Sequence, residues 1–382
     1  ADLDQRELAF GAVRPGESAV RTLSFKVPLN AGTRTDDVKI SFEDLKANKL
    51  PEVATRFSIK GIELPVFSSE AHLLDVAGGN GDGQAQVGET IRLVATIRNT
   101  GTGDARAVLA NVRNESGNDV FLRIGRAELG EMKSGDTRKA IFEFEIKKGF
   151  TGNAVQFKLS VMDSKTQVYS GEALSFPIST PLQVSARATS VTLRQGTLLR
   201  AIPAAESPVV GRVGQDALVT SAFQCNGFLR VDASAEESGW VRQTDTETAP
   251  AGATATAVQI EPTLNTPPSI RLKSLPDVTD RPRIELSGTA RDDQRVQSIY
   301  IFNNNQKVFF QANSGNSARF AMDLDLEPGI NFVTVVAEET EELQTRTTLV
   351  VRRDGKGNMP FISARDIKGT PEPLGVIPSN AR

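Results

Sequence analysis

Alternation with a period of two constrains this chain more than any other feature. The segment Ala140-Ile141-Phe142-Glu143-Phe144-Glu145-Ile146 sends apolar and polar side chains to opposite sides, as a strand with one buried face requires. Thr90-Ile91-Arg92-Leu93-Val94-Ala95-Thr96-Ile97 is a second strand segment of the same kind. Gly, Pro, Asn and Asp interrupt such segments about every eight to twelve residues, the spacing of sandwiches and small barrels. Helical periodicity is nearly absent. The predicted class is all-β, with tandem sandwiches and an intervening small barrel. At 382 residues the chain exceeds one such module, because domains usually hold about 100–200 residues.

An internal repeat organises the first half. Phe10-Gly11-Ala12-Val13-Arg14-Pro15-Gly16-Glu17-Ser18, followed by the alternating Leu23, Phe25 and Val27, matches Leu129-Gly130-Glu131-Met132-Lys133-Ser134-Gly135-Asp136-Thr137, followed by Ile141 to Ile146. Both copies continue into a further strand, Val38-Lys39-Ile40-Ser41-Phe42 in one and Val155-Gln156-Phe157-Lys158-Leu159 in the other. The second copy is preceded by a half-domain at about 70–125 that holds its first strands, and the first copy is not. Residues 1–67 therefore read as the closing half of a sandwich whose opening strands are missing or are supplied by something else. Such a half exposes strand edges and an open core.

Residues 68–182 read as a complete sandwich. Residues 183–247 have the rhythm of a small barrel, with short strands such as Val191-Thr192-Leu193-Arg194 and Phe228-Leu229-Arg230-Val231. Residues 248–268, rich in Ala, Thr and Pro, read as a linker. A last sandwich spans 269–354, with Asn303-Asn304-Asn305 as a hairpin turn, since Asn tolerates positive φ. The tail 355–382 reads as flexible.

The sharpest local signal is Asp75-Val76-Ala77-Gly78-Gly79-Asn80-Gly81-Asp82-Gly83-Gln84-Ala85-Gln86-Val87-Gly88-Glu89. With Gly78 as loop position one, Asn80, Asp82, Gly83, Gln86 and Glu89 fall at positions three, five, six, nine and twelve of an EF-hand-type calcium loop. Oxygen ligands on alternate residues would point inward, the glycine would permit the sharp turn, and Glu89 would close the cage. Position one lacks its Asp unless Asp75 folds back. The candidate ligands of a structural calcium ion are thus Asp75, Asn80, Asp82, Gln84, Gln86 and Glu89. The competing reading is an Asn/Asp/Gly-rich turn in which Asp82 and Glu89 cap backbone amides. Calcium is the one cofactor that the sequence raises.

Single residues exclude more than they suggest. Cys225 is the only cysteine, so neither an intramolecular disulfide nor a Cys-rich metal site can form; it reads as a semi-buried small hydrophobe. His72, the only histidine, removes most acid–base and metal-pair schemes and reads as a surface residue. Trp240, the only tryptophan, reads as core. Serines and lysines are plentiful, but none lies in a glycine-rich nucleophile turn, so no catalytic residue is assigned. The pairs Glu338-Glu339 and Glu341-Glu342 read as surface charge. The net charge of -3, without long charge runs, gives no footprint for nucleic acid. No stretch reads as a signal peptide, and no apolar run approaches the about 20 residues that span a bilayer; if the protein is exported, its signal lay upstream.

The order of segments resembles the non-catalytic C-terminal region of exported carboxyl-terminal processing (tail-specific) serine peptidases from deltaproteobacteria. The resemblance covers most of the chain. Gly79-Asn80-Gly81-Asp82-Gly83, Gly88-Glu89-Thr90-Ile91-Arg92-Leu93 and Asn99-Thr100-Gly101-Thr102-Gly103 look like a bacterial adhesion-related immunoglobulin-like domain. Gly125-Arg126-Ala127-Glu128-Leu129-Gly130 continues it. The barrel, ending in Gly239-Trp240-Val241, is similar to bacterial SH3-like domains, although Leu193-Arg194-Gln195-Gly196-Thr197 replaces their usual opening. Ile299-Tyr300-Ile301-Phe302 and Pro328-Gly329-Ile330-Asn331-Phe332-Val333 belong to a further immunoglobulin-like module. The resemblance implies a periplasmic or extracellular bacterial protein, with peptidase and PDZ domains upstream in the same polypeptide. Those domains carry the family's Ser–Lys dyad, and neither is present. It implies an accessory region that positions a protein or peptide substrate or regulates its access. The alternative is a module that anchors to peptidoglycan through cell-wall peptide, or that serves adhesion. Nucleic acid and membrane insertion are not expected.

Overall fold

The computed structural model describes residues 8–22, 27, 29, 31–44, 48, 50–74, 79–250 and 252–354. Among them there is no α-helix, only strands and one 3-10 turn at Gln243–Asp245. The all-β class is observed.

The N-terminal part contributes one hairpin, β1 (Arg34–Ile40) and β2 (Val53–Ile59), paired antiparallel from Arg34 opposite Ile59 to Ile40 opposite Val53. None of its described residues before Pro65 is buried. Val20, Ile40, Leu50 and Phe57 are among its exposed apolar side chains. The repeat seen in the sequence recurs in the backbone. Gly11 and Gly16 have φ of 73° and 83°, and Gly130 and Gly135 have 70° and 86°. The Glu17 amide donates to the Arg14 carbonyl as the Asp136 amide does to that of Lys133, both at 3.0 Å.

The second module is a sandwich of eight strands, β3 (Phe67–Leu74), β4 (Thr90–Asn99), β5 (Ala105–Asn114), β6 (Val120–Ile124), β7 (Arg126–Met132), β8 (Thr137–Ile146), β9 (Ala154–Asp163) and β10 (Tyr169–Pro177). One sheet has the order β3-β4-β8-β6 and the other β10-β9-β5-β7. Alternation decides what lies between them: Ala140, Phe142, Phe144 and Ile146 face inward from β8, and Val155, Phe157, Leu159 and Val161 from β9. The Phe144 and Phe157 rings meet at 4.7 Å, close enough for an attractive tilted pair.

Asn99-Thr100-Gly101-Thr102-Gly103 is explained by packing. Asn99 is fully buried; its carbonyl oxygen accepts the Val66 and Gly101 amides, and its amide nitrogen donates to the Gly103 and Met132 carbonyls. A Cβ on Gly103 would stand 2.1 Å from the Glu63 carbonyl oxygen, so the incoming chain can cross here only over glycine.

The third module is one eight-stranded sheet built from β11 (Ser185–Leu193), β12 (Leu198–Arg200), β13 (Val209–Val213), β14 (Ala217–Cys225), β15 (Phe228–Ser234), β16 (Glu237–Arg242), β17 (Glu247–Thr248) and β18 (Ile260–Pro262). Its order is β17-β11-β14-β15-β16-β12-β13-β18. The sheet curls around a core of its own, with Leu193, Leu199, Val213, Leu229 and Val241 inside, but β17 and β18 remain its two edges and the barrel does not close. Within 248–268, read as a linker, Ile260–Pro262 pairs with β13.

The last module packs β19 (Ser269–Leu272), β21 (Arg283–Arg291) and β24 (Ser317–Asp325) against a five-stranded sheet. That sheet holds β20 (Val278–Thr279), β26 (Gln344–Arg353), β25 (Gly329–Glu338), β22 (Ser298–Asn303) and β23 (Gln306–Ala312). Asn304 and Asn305 adopt φ of 48° and 68° at the β22–β23 hairpin. Residues 355–382 lie outside the described residues.

Candidate functional site

The loop singled out in the sequence lies where the second module meets the third. Asp75 and Gly78 lie outside the described residues. From Gly79 onward the loop closes on Asp82, which is fully buried. One carboxylate oxygen accepts the Gln84 amide at 2.8 Å. The other accepts the side-chain amides of Asn80 (3.0 Å), Gln84 (3.2 Å) and Gln86 (2.8 Å) and the backbone amide of Leu182 at 2.9 Å. Asn80 in turn accepts the Asp82 amide at 3.0 Å. Glu89 is half-buried at the entrance to β4, where its carbonyl accepts the Ile146 amide at 2.9 Å.

In this structure N–H groups point at the Asp82 carboxylate. Oxygen coordination of a cation would require the amides of Asn80, Gln84 and Gln86 to reverse. Among the described residues, no three His, Cys, Asp or Glu side chains are gathered as a metal-binding set.

The loop also touches the curled sheet. A Cβ on Gly83, at φ 80°, would stand 2.6 Å from the Ala201 carbonyl oxygen, and one on Gly81, at φ 81°, 3.3 Å from an Arg230 nitrogen. Arg230 is 8% exposed, pairs with Asp232 at 2.8 Å and lies over the Phe223 ring. Nothing in the local sequence marked it. Trp240 is core, as expected: it is 3% exposed and packs with Cys225 and Phe228, with Leu182 and Val184 against them. Burial pushes the Cys225 thiol up, and the negative charge of Asp82 adds to the rise.

His72 corrects the sequence reading. It is 6% exposed rather than a surface residue, because the face of β3 that points away from the sandwich core is itself covered. Its Nδ1 lies 3.0 Å from a Glu70 oxygen. Burial pushes its pKa down, but the charge of Glu70 and the hydrogen bond to it outweigh that, so the ring titrates above the ordinary imidazole value. Nearby, Lys139 on β8 pairs with Glu237 on β16 at 2.8 Å, joining the second and third modules.

A second junction joins the second module to the last. The backbone of Asn265 bridges the outer edge of β3, donating to the Ser69 carbonyl at 2.6 Å and accepting the Ser69 amide at 3.0 Å. An edge that would otherwise invite another strand is thereby capped. The Ser69 hydroxyl donates to Glu172 at 2.9 Å. Lys158 on β9 pairs with Glu342 at 2.5 Å.

Glu339 also departs from the reading as surface charge. It sits in the β25–β26 turn, 7% exposed, with a carboxylate oxygen that has no hydrogen-bond partner. Burial, and then the charges of Asp292, Asp293 and Glu172, push its pKa up to about 7, against a smaller opposing effect of Arg295. Asp292 is raised for the same leading reason and also keeps one partnerless buried oxygen. For Glu172, burial drives the rise, the hydrogen bonds from Ser69 and Asn265 oppose it, and Glu70 adds to it. Four carboxyl groups from two modules thus converge on one junction.

No family model matches this chain, and no curated protein matches it. Among solved structures it is similar to a biofilm-associated protein, BSP domain, at 11% identity and a TM-score of 0.19, over 84% of this chain and 75% of that one. It is also similar to dimeric latent PorU from Porphyromonas gingivalis, at 10% identity and a TM-score of 0.18, over 81% of this chain and 36% of that one. The chain therefore spans about a third of the length of PorU. Among the described residues no helix is long and apolar enough to cross a membrane.

Proposed function

We propose that this chain is a non-catalytic binding region, accessory to an exported bacterial processing peptidase, whose joined β modules hold a partner in position. The observation that supports this reading is where the polar chemistry lies. Asp82, His72, Lys139, Glu172 and Asn265 meet partners at or beside the contacts between modules. Such contacts fix the relative placement of surfaces, which is what a positioning device needs.

The test adds the chain to the peptidase and PDZ domains of a deltaproteobacterial carboxyl-terminal processing peptidase and follows cleavage of a tailed reporter. The reading expects cleavage to rise in the presence of the chain, and the chain alone to leave the reporter intact. Unchanged cleavage with no reporter bound to the chain would sink it. Retention on purified sacculi with cleavage unchanged would favour peptidoglycan anchoring. The packing of Trp240 gives that alternative no support, since its ring is buried rather than offered to a ligand.

A further inference from the structure

The outer face of the three-stranded sheet β19-β21-β24 carries a cationic trough that nothing above uses. Pairing register places side chains on it row by row. Arg271, Thr289 and Arg319 form one row, and Ser269, Arg291 and Ser317 the next. On the other side Ser287 stands beside Ala321, with Lys273 bonded through its amide to the Ser287 carbonyl. The inward residues of these strands, among them Leu286, Ala290 and Phe320, are core, so the alternation leaves the small side chains Thr289 and Ser287 as an outward floor. The trough is a shallow depression, open to solvent, of about 510 Å³ between Arg271 and Lys273 on one side and Arg319 on the other.

The charge here is uncommitted. Arg271, Arg291 and Arg319 are exposed, and among the described residues their guanidinium groups enter no ion pair or hydrogen bond, although the Arg291 and Arg319 carbonyls accept from the Ser269 and Gln311 side chains. Lys273 reaches Glu285 only at 4.0 Å. Carboxylates bound the trough at its ends: Glu285 and Asp323 beyond Lys273, and Asp292 and Asp293 beyond Arg291. Between them the cationic stretch runs about 14 Å at 3.4 Å per residue, and Arg271 and Arg319 stand about 10 Å apart across two strand spacings. All this lies on a chain whose net charge is -3.

We propose that this trough binds an anionic polysaccharide. Guanidinium groups carried by strands about 10 Å apart can meet carboxylate or sulfate groups on either side of a sugar chain, each able to receive a two-pronged hydrogen bond. The hydroxyls of Thr289 and Ser287 face the sugar between them. An acidic peptide fits less well. The backbone of β21 is already paired on both sides, so no strand can be added along the floor of the trough. Nucleic acid fits less well again, because Phe320, the aromatic residue that lines the trough, is 4% exposed and offers no face for base stacking.

The test passes the intact chain over immobilised alginate, dextran sulfate, neutral dextran and polyglutamate at 0.15 M salt, where screening beyond about 8 Å suppresses non-specific attraction. Retention is expected on alginate and dextran sulfate, with neutral dextran inert and polyglutamate at least tenfold weaker. The double substitution Arg271→Ala/Arg319→Ala should weaken retention at least tenfold without moving the melting temperature, since both side chains are exposed. No retention on either charged polysaccharide, equal retention of the double variant, or polyglutamate held as tightly would overturn the proposal. The proposal does not rest on the peptidase reading, and each can fail alone.

Discussion

Glu339→Gln should make the last module more stable at pH 8 and remove much of its pH dependence. Glu339 titrates at about 7 against an ordinary 4.5, and each unit corresponds to 1.36 kcal/mol, so the difference amounts to about 3 kcal/mol. The sign follows from proton linkage. Below pH 4.5 the group is neutral folded and unfolded, and folding is not penalised. Between 4.5 and 7 the unfolded chain ionises while the folded one keeps its proton, so stability falls as pH rises. Above 7 the full loss is present. Glutamine has the shape of the neutral acid and cannot ionise, so the variant should match the parent near pH 4. It should exceed the parent above pH 7 by up to about 3 kcal/mol, or about 12–24 °C for a module of this size. Differential scanning calorimetry between pH 4 and 8 reads this as a transition that moves in the parent and moves less in the variant. Parallel pH profiles for the two proteins, or a variant less stable at pH 8, would refute the reasoning.

Asp82→Ala should cost about 2–4 kcal/mol, because the Leu182 and Gln84 amides lose a charged acceptor in a buried place. The readout is the thiol of Cys225, 4% exposed beside this loop, which should react faster with a thiol reagent in the variant. Gly103→Ala should destabilise the second module by several kcal/mol through the clash with Glu63, measured by urea unfolding, whereas Gly117→Ala, at φ 84° with open space around it, should cost only about 1–2 kcal/mol. Millimolar calcium should leave the melting temperature unchanged, since N–H donors already surround Asp82; a rise of several degrees would establish the coordinated form.

Fold class was legible because period-two alternation is a local signal: the inward set of β8 and β9 can be read directly from Ala140–Ile146 and Val155–Leu159. The repeat was legible because the same turn recurs with glycines at the same two positions. The junctions were not. Asp82 is held by Leu182, a hundred residues away, and no spacing announces such a contact. His72 and Glu339 looked exposed because strand alternation distinguishes two faces of a sheet without saying which are covered by another module. Ile260–Pro262 escaped because a three-residue strand is too short to show periodicity. The sequence did mark the 79–89 loop as special, through its Gly, Asn and Asp, but those residue types serve a calcium cage and a carboxylate-centred turn equally well.

The two junctions differ in how their carboxylates are met, and this sets which contact weakens as the pH rises. At the first, the Asp82 oxygens are met by amides from their own loop and from Leu182, and Lys139 pairs with Glu237 nearby, so its buried negative charge has donors at hand. At the second, Glu172, Asp292 and Glu339 all titrate high, and partnerless oxygens remain on two of them. The edge contact of Asn265, the Lys158–Glu342 pair, the charge of Arg295 beside Glu339 and the hydrogen bonds to Glu172 oppose that repulsion. Raising the pH through 7 therefore loads negative charge onto the second junction, whereas at the first the titrating group is His72, which loses a positive charge above the ordinary imidazole value. Above pH 7 the contact between the second module and the last should therefore be the weaker of the two, because its added charge is repelled by the carboxylates already gathered there.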